Sequence, residues 1–105
     1  MAFEDGFPIS PGHTLVIPKR HEADFFMLTA DEQADIWTLV GSVKAELSAS
    51  LSPDGFNIGI NNGVAAGQTV PHCHIHIIPR FAGDREDPRG GVRWILPGMA
   101  KYWDE

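Results

Sequence analysis

Apolar and polar positions alternate most strictly between Val70 and Arg80, in the segment Val-Pro-His-Cys-His-Ile-His-Ile-Ile-Pro-Arg. A period of two is typical of a β-strand, whose successive side chains point to opposite faces. We therefore predict a strand that carries its histidines on one face and its apolar residues in the core. The histidines on that face are His72, His74 and His76, and the apolar set is Cys73, Ile75 and Ile77.

A second kind of periodicity follows Thr29, where apolar residues recur at helical spacing and form one stripe. The residues of this stripe are Ile36, Leu39, Val40, Val43 and Leu47. Thr29 and Glu32 have the spacing of a capping box, in which each side chain bonds the other residue's amide. We predict a helix over about 30 to 49 that packs its stripe on the core, with Trp37 turned toward a partner subunit.

Two further segments are predicted as strands. Phe56 to Asn61 alternates again, with Phe56, Ile58 and Ile60 on one face and Asn57, Gly59 and Asn61 on the other. If this segment pairs with the histidine strand, its asparagines join the histidines on one face of the sheet. A shorter strand is predicted from His13 to Pro18, after twelve irregular or edge residues, and the tail from Phe81 is predicted to be an arm.

Composition limits the classes of partner and location. The chain has 105 residues, 43% of them hydrophobic, which predicts one domain over 1–105. Its net charge of −6 argues against a nucleic-acid partner. The single Cys73, with no signal peptide and no apolar run near 18 residues, predicts a cytoplasmic protein with no membrane partner. Arginines clustered after the histidines suit a small anionic ligand instead.

Three histidines in register need an explanation beyond packing, because each buried ring nitrogen requires a partner. Metal binding is one alternative, since a His-x-His pair can chelate zinc through two rings. However, His72 and His76 would start about 13 Å apart at their backbones, which leaves one ring unexplained. No second cysteine completes a site. Catalysis on an anionic substrate is the other reading, and it predicts no resident metal.

The motif His72-x-His74-x-His76-Ile-Ile resembles the His-φ-His-φ-His-φ-φ signature (φ apolar) of the histidine triad nucleotide hydrolases and transferases. The segments Pro11 to His21, Ala66 to Val70 and Pro88 to Val92 are similar to the bacterial dinucleoside-polyphosphate-hydrolase-like branch of that family. The resemblance covers essentially the whole chain. It implies an α+β fold, with an antiparallel sheet of about five strands, one long helix on one face, and a homodimer.

The resemblance also implies an activity. It is cleavage at the α-phosphate of an adenylyl or other purine nucleotidyl substrate, a dinucleoside polyphosphate or a phosphoramidate, through a covalent nucleotidyl-histidine. No cofactor would be required, although Mg²⁺ can accompany the substrate. The alternative is a nucleotide-binding regulatory module with little turnover. The presence of all four triad-type histidines favours the enzyme.

Carried over residue by residue, the family's nucleophile corresponds to His74. His76 and His13 correspond to rings that contact the phosphate and assist proton transfer, and His72 to the residue that holds the nucleophile. We expect Arg80 nearby to temper negative charge.

The resemblance places substrate-binding roles on five further residues. Asp5 would contact the ribose, Phe3 the purine, and Asn61, Gln68 and Thr69 the phosphate or leaving group. Family members usually have a further segment before Ala2, which supplies a first strand and part of the purine pocket. We therefore expect an N-terminal strand to be missing here and base recognition to be weaker.

Overall fold

The computed structural model describes residues 1–104, which form one antiparallel sheet and one long helix. The strands are β1 (Ala2–Glu4), β2 (Thr14–Val16), β3 (Gly55–Ile60) and β4 (Ile75–Arg80), and the helix is α1 (Ala30–Leu51). The sheet order is β1-β2-β4-β3. The predicted α+β class and antiparallel sheet are confirmed, with four strands in the described part of the chain where about five were expected.

Helix α1 begins and ends where local chemistry dictates. Thr29 accepts a hydrogen bond from the Glu32 amide while the Glu32 carboxylate accepts one from the Thr29 amide, so the predicted capping box is present. The helix ends at Leu51, two residues beyond the predicted boundary, and the next residue, Ser52, has the left-handed conformation. Trp37 lies beside the buried stripe, half exposed, with its ring edge against Phe25.

The core lies between α1 and one face of the sheet. From the helix it contains Ile36, Val40 and Val43, and from the sheet Val16, Ile75 and Ile77, the last two of which are fully buried in β4. Because side chains alternate along a strand, burying Ile75 and Ile77 turns His76 and Ile78 toward the opposite face. That opposite face is not covered by the helix.

The predicted histidine strand is shorter than expected, because β4 begins only at Ile75 and residues 70–74 form bends and irregular backbone. Pro71 has no amide hydrogen to donate to a ladder. Just after it, the His72 amide bonds back to Val70 and the Cys73 amide bonds Glu22, which is not in a strand. Burial still alternates through Cys73, so the face prediction holds where the strand prediction fails.

The tail is more ordered than the predicted arm. It contains two short 3-10 helices, Gly91–Ile95 and Pro97–Met99, and three arginines that each stack on an aromatic ring. The stacked pairs are Arg85 on Trp94, Arg89 on Trp103 and Arg93 on Tyr102. Over residues 1–104, no helix has the length and apolar character needed to cross a membrane.

Candidate active site

The uncovered face of the sheet carries one row of side chains across its strands. Strand register places Phe3 opposite Leu15, Leu15 opposite His76, and His76 opposite Gly59. Residues paired in this way share a face. Phe3 and Gly59 therefore lie on opposite sides of His76, with Phe3 44% exposed.

His13 and His76 are joined directly, although they are 63 residues apart in the chain. His13 Nε2 lies 2.9 Å from His76 Nδ1, and the Ile9 amide donates to His13 Nδ1 at 3.2 Å. Because His13 Nδ1 is an acceptor, a neutral His13 carries its hydrogen on Nε2 and donates it to His76. His76 must then carry its own hydrogen on Nε2, which makes that atom a donor available to a ligand.

Burial keeps His76 neutral. Desolvation is the main cause that lowers its pKa below the ordinary value, and the nearby His74 and His13 lower it further, while Asp5 acts in the opposite direction. A neutral ring whose hydrogen lies on Nε2 can donate a hydrogen bond to a phosphate oxygen.

His74 has the opposite tautomer. Its Nδ1 lies 2.9 Å from the His72 carbonyl oxygen, which can only accept, so Nδ1 carries the hydrogen and Nε2 keeps a free lone pair. The His74 and His76 ring centroids are 5.0 Å apart. The two rings are therefore neighbours, one with a lone pair on Nε2 and the other with a hydrogen there, and nucleophilic attack on a phosphate would use both groups.

His72 takes part through its backbone rather than its ring. Its Nε2 donates to the Pro18 carbonyl at 2.9 Å, and its ring meets His21 edge-on at 5.2 Å between centroids. The ring therefore contacts the segment that follows β2. The contact to His74 that was predicted for His72 is made by the His72 carbonyl.

The loop between β3 and the histidines is braced by side chains. Gln68 accepts from the Gly63 amide at 2.8 Å and donates to the carbonyls of Ala23 at 2.9 Å and Val70 at 3.1 Å. These contacts involve both polar atoms of the Gln68 side-chain amide, which was predicted to bind substrate. Thr69, the next residue, is exposed, as expected for a ligand-contacting hydroxyl.

Asn62 was missed by the sequence analysis. Its Oδ1 accepts from the Phe25 amide at 3.0 Å, and its Nδ2 donates to Asp24 at 3.2 Å. It thus ties the end of β3 to the segment that precedes the helix. The two consecutive asparagines could have drawn attention to Asn62. The sequence analysis used only Asn61, because it is the one on the face that the histidines share.

Asp5 lies next to the paired histidines. Its Oδ1 accepts from the Phe7 amide at 2.9 Å, while its Oδ2 is 3.4 Å from His13 Nε2. Asp5 and His76 border one cleft of about 560 Å³ together with Asn61. We call this space the histidine cleft. Its apolar walls, which the sequence analysis did not anticipate, are Phe7, Ile9, Val92 and Ile95.

The expectation that Arg80 tempers charge at the histidines is wrong. Its guanidinium makes two hydrogen bonds to Asp84, both 2.8 Å long, and a third to Asn57 of 2.6 Å. The hydrogen bonds from Arg80 are the main cause that lowers the pKa of Asp84 to about 2. Arg80 therefore fixes the turn after β4, and its charge is paired with Asp84.

Metal binding can be tested on the one cluster of possible ligands found among residues 1–104. Ligand atoms of Asp5, His13 and His76 lie within 4.8 Å of one another. A histidine that binds a metal normally donates its other ring hydrogen to an acceptor. Here the other nitrogen of His13, Nδ1, accepts from the Ile9 amide. If Nε2 bound a metal, the ring hydrogen would move to Nδ1 and oppose the Ile9 amide hydrogen. The only alternative would be a ring with no hydrogen on either nitrogen. The hydrogen bonding favours the His13–His76 pair over a metal.

Comparisons with known proteins identify the family of the chain. The HIT domain profile matches residues 1–83, and the chain belongs to the HIT domain family. It is 48% identical over 83 residues to the bis(5'-nucleosyl)-tetraphosphatase [asymmetrical] of Schizosaccharomyces pombe, covering 79% of this chain and 46% of that one. It is 41% identical over 80 residues to the bis(5'-adenosyl)-triphosphatase of Dictyostelium discoideum, covering 76% and 54%.

A solved structure, that of a HIT family protein from Bacillus anthracis, matches with a TM-score of 0.75 and 45% identity over 78% of this chain and 58% of that one. The chain spans about half the length of the curated relatives it matches. Family membership and fold are therefore established, and relatives within the family are named as dinucleoside polyphosphate hydrolases.

Proposed function

We propose that this chain hydrolyses or transfers the nucleotidyl group of purine nucleotidyl substrates, with dinucleoside polyphosphates as the first candidates, through a nucleotidyl-histidine at His74. The observation that carries the proposal is the bond from His74 Nδ1 to the His72 carbonyl, because it leaves the Nε2 lone pair free. The names of the two hydrolases above support the choice of substrate class.

In the first step, the Nε2 lone pair of His74 attacks the α-phosphorus and a nitrogen–phosphorus bond forms. The bond from phosphorus to the leaving oxygen breaks, and its electron pair leaves with the terminal phosphate of a nucleoside polyphosphate. That group needs no proton at neutral pH, whereas for a phosphoramidate the bond from phosphorus to nitrogen breaks and the leaving amine takes a proton from water. The His76 Nε2 hydrogen, held in place by His13, donates to the phosphate oxygens as charge builds.

In the second step, water attacks the same phosphorus and its proton passes to the surroundings. The nitrogen–phosphorus bond breaks, and its electron pair returns to His74. The carbonyl of His72 stabilises the positive ring of the intermediate through the Nδ1 hydrogen. Asp5 and Phe3 are proposed to bind the ribose and the base, and Thr69 and Asn61 the phosphate.

The proposal is tested by rapid-quench mass spectrometry of the protein mixed with diadenosine tetraphosphate, diadenosine triphosphate or adenosine phosphoramidate. We expect a nucleotidyl adduct on the peptide that contains His74. His74→Ala should remove essentially all turnover and leave AMP binding within about tenfold. His76→Ala and Thr69→Ala should each cost about 2–4 kcal/mol in the transition state.

His21→Ala is the matched control, because His21 is exposed and lies outside the His13–His76 pair. It should retain near-normal turnover. Tight AMP binding without an adduct and without turnover would instead support the regulatory module. The cytoplasmic location and the lack of a required cofactor stay predictions, the second of which is measured by adding EDTA and then Mg²⁺ to the same assay.

We also propose a two-fold homodimer. Strand β3 is an edge strand of the sheet in residues 1–104, and Ile58 on it is 37% exposed. An unpaired edge that carries exposed apolar groups is suited to pairing with a second copy. Light scattering at micromolar concentration should give twice the chain mass of 11.5 kDa, and a monomer would refute the dimer while leaving the chemistry open.

A further inference from the structure

The histidine cleft continues into a second cavity under the tail. This cavity has a volume of about 720 Å³ and is bordered by Arg80, Arg85 and Trp94. We call it the tail groove. The two spaces share five lining residues, which are Ile9, Asn57, Ile78, Val92 and Ile95. The two spaces therefore adjoin, and we call the path along their shared residues, from His76 to the Arg85–Trp94 pair, the channel.

The direction of this channel relates it to the two halves of a substrate. Phe3, the proposed base contact, lies on the β1 side of His76, and Gly59 and Asn57 lie on the β3 side. Within β4, the same-face residues His76, Ile78 and Arg80 advance about 6.6 Å at each step, away from the histidines. A nucleoside bound at Phe3 and Asp5 therefore leaves the tail groove open to whatever is attached beyond the α-phosphate.

Arg85 supplies a suitable charge at the far end. Its guanidinium carbon lies 4.5 Å from the Trp94 ring centroid, so the group is held against the ring. Arg80 and Arg89 form ion pairs with Asp84 and Asp87, but Arg85 has no carboxylate within ion-pair distance in the part of the chain that the structure describes. A guanidinium stacked in this way keeps edge hydrogens for phosphate oxygens.

We propose that the tail groove binds the leaving half of the substrate, a nucleoside polyphosphate, and that Arg85 contacts its phosphates. The inference rests on the proposed function and adds a preference for substrates with a long, charged leaving group. When the bond to the α-phosphorus breaks, the leaving phosphate gains negative charge. The leaving group then lies along the channel, near Arg85. Arg85 and the apolar wall at Val92 are thus specificity-determining residues contributed by the tail.

The test compares two substrates that share the adenylyl group, diadenosine tetraphosphate and adenosine phosphoramidate. For the first, Arg85→Ala should lower kcat/KM about tenfold, since a hydrogen bond to a charged group is lost. Val92→Trp, which fills the junction of cleft and groove from an exposed position, should lower it at least as much. For the phosphoramidate, whose leaving group is ammonia, Arg85→Ala should stay within about twofold of the wild type, because Arg85 lines the tail groove and not the histidine cleft.

Lys101→Ala is the control for loss of one positive charge, because Lys101 is exposed and does not line the groove. It should change neither substrate. If Arg85→Ala lowered kcat/KM equally for both substrates, or lowered the affinity for AMP, the inference would be overturned, because the first nucleoside would then lie in the groove. Unchanged tetraphosphate turnover in both variants would also overturn it. If the wild type turns over neither substrate, the proposed function itself fails, which is a different result.

Discussion

Replacing Gln68 distinguishes a brace for the loop from a group that binds substrate. The side chain makes three hydrogen bonds, to the Gly63 amide and to the carbonyls of Ala23 and Val70. Each such bond contributes about 0.5–1.5 kcal/mol net. Allowing for the partial exposure of Gln68, we expect Gln68→Ala to lower the free energy of unfolding by about 2 kcal/mol.

The assay is urea unfolding at one fixed protein concentration, because any association would make stability depend on concentration. Gln68→Glu keeps an acceptor for Gly63 but sets a carboxylate against two carbonyl oxygens. It should therefore be less stable than the wild type by a larger margin at pH 7 than at pH 4.5, where a protonated carboxyl regains a donor. Thr69→Ala, at the exposed neighbouring position, should change stability by less than about 0.5 kcal/mol.

AMP titration completes the comparison. If Gln68 acts as a brace, Gln68→Ala should weaken AMP binding only modestly once the protein is folded. An unchanged free energy of unfolding together with a loss of AMP affinity beyond tenfold would refute this reasoning, and would return Gln68 to the substrate-binding role expected from the family.

Two further predictions concern stability. The pKa of His76 is lowered, so below pH 6.5 the unfolded chain binds more protons than the folded one and stability falls as pH falls. His76→Gln should reduce this dependence between pH 7.5 and 5.5, and parallel pH profiles would contradict it. Gly12 has φ of +86°, and a Cβ there would lie 2.6 Å from Leu51 Cδ1, so Gly12→Ala should cost about 1–3 kcal/mol in thermal unfolding. Gly41→Ala, within the helix and with open space around it, should instead stabilise by about 0.5–1 kcal/mol, and equal effects would contradict the argument.

The helix was the most predictable part of the fold. Its capping box, its buried stripe and its start at Ala30 all depend on residues that follow one another at spacings of at most four positions. The faces of β3 and β4 were predictable for the same reason, since the period of a strand is local. The strand start at Ile75 was not, because the bonds of His72 and Cys73 to Val70 and Glu22 depend on how the loop folds back.

The alternation predicted that His74 and His76 lie close together, but not which hydrogen each ring carries. The roles of His13 and His76 depend on the antiparallel register of β2 on β4, which places Leu15 opposite His76. The hydrogen on each ring is then determined by the Ile9 amide and the His72 carbonyl. Neither partner can be identified from the alternation itself.

The sequence by itself therefore determined the elements, their buried faces and the residues of the histidine motif, because these follow from local periodicity and residue chemistry. Tertiary structure decided the tautomers, the pairing of Arg80 with Asp84, the brace at Gln68 and the channel beneath the tail. Those features join segments that are distant in the chain or bring loops over a sheet face. Their geometry depends on strand register and loop closure, which no short pattern of residues encodes.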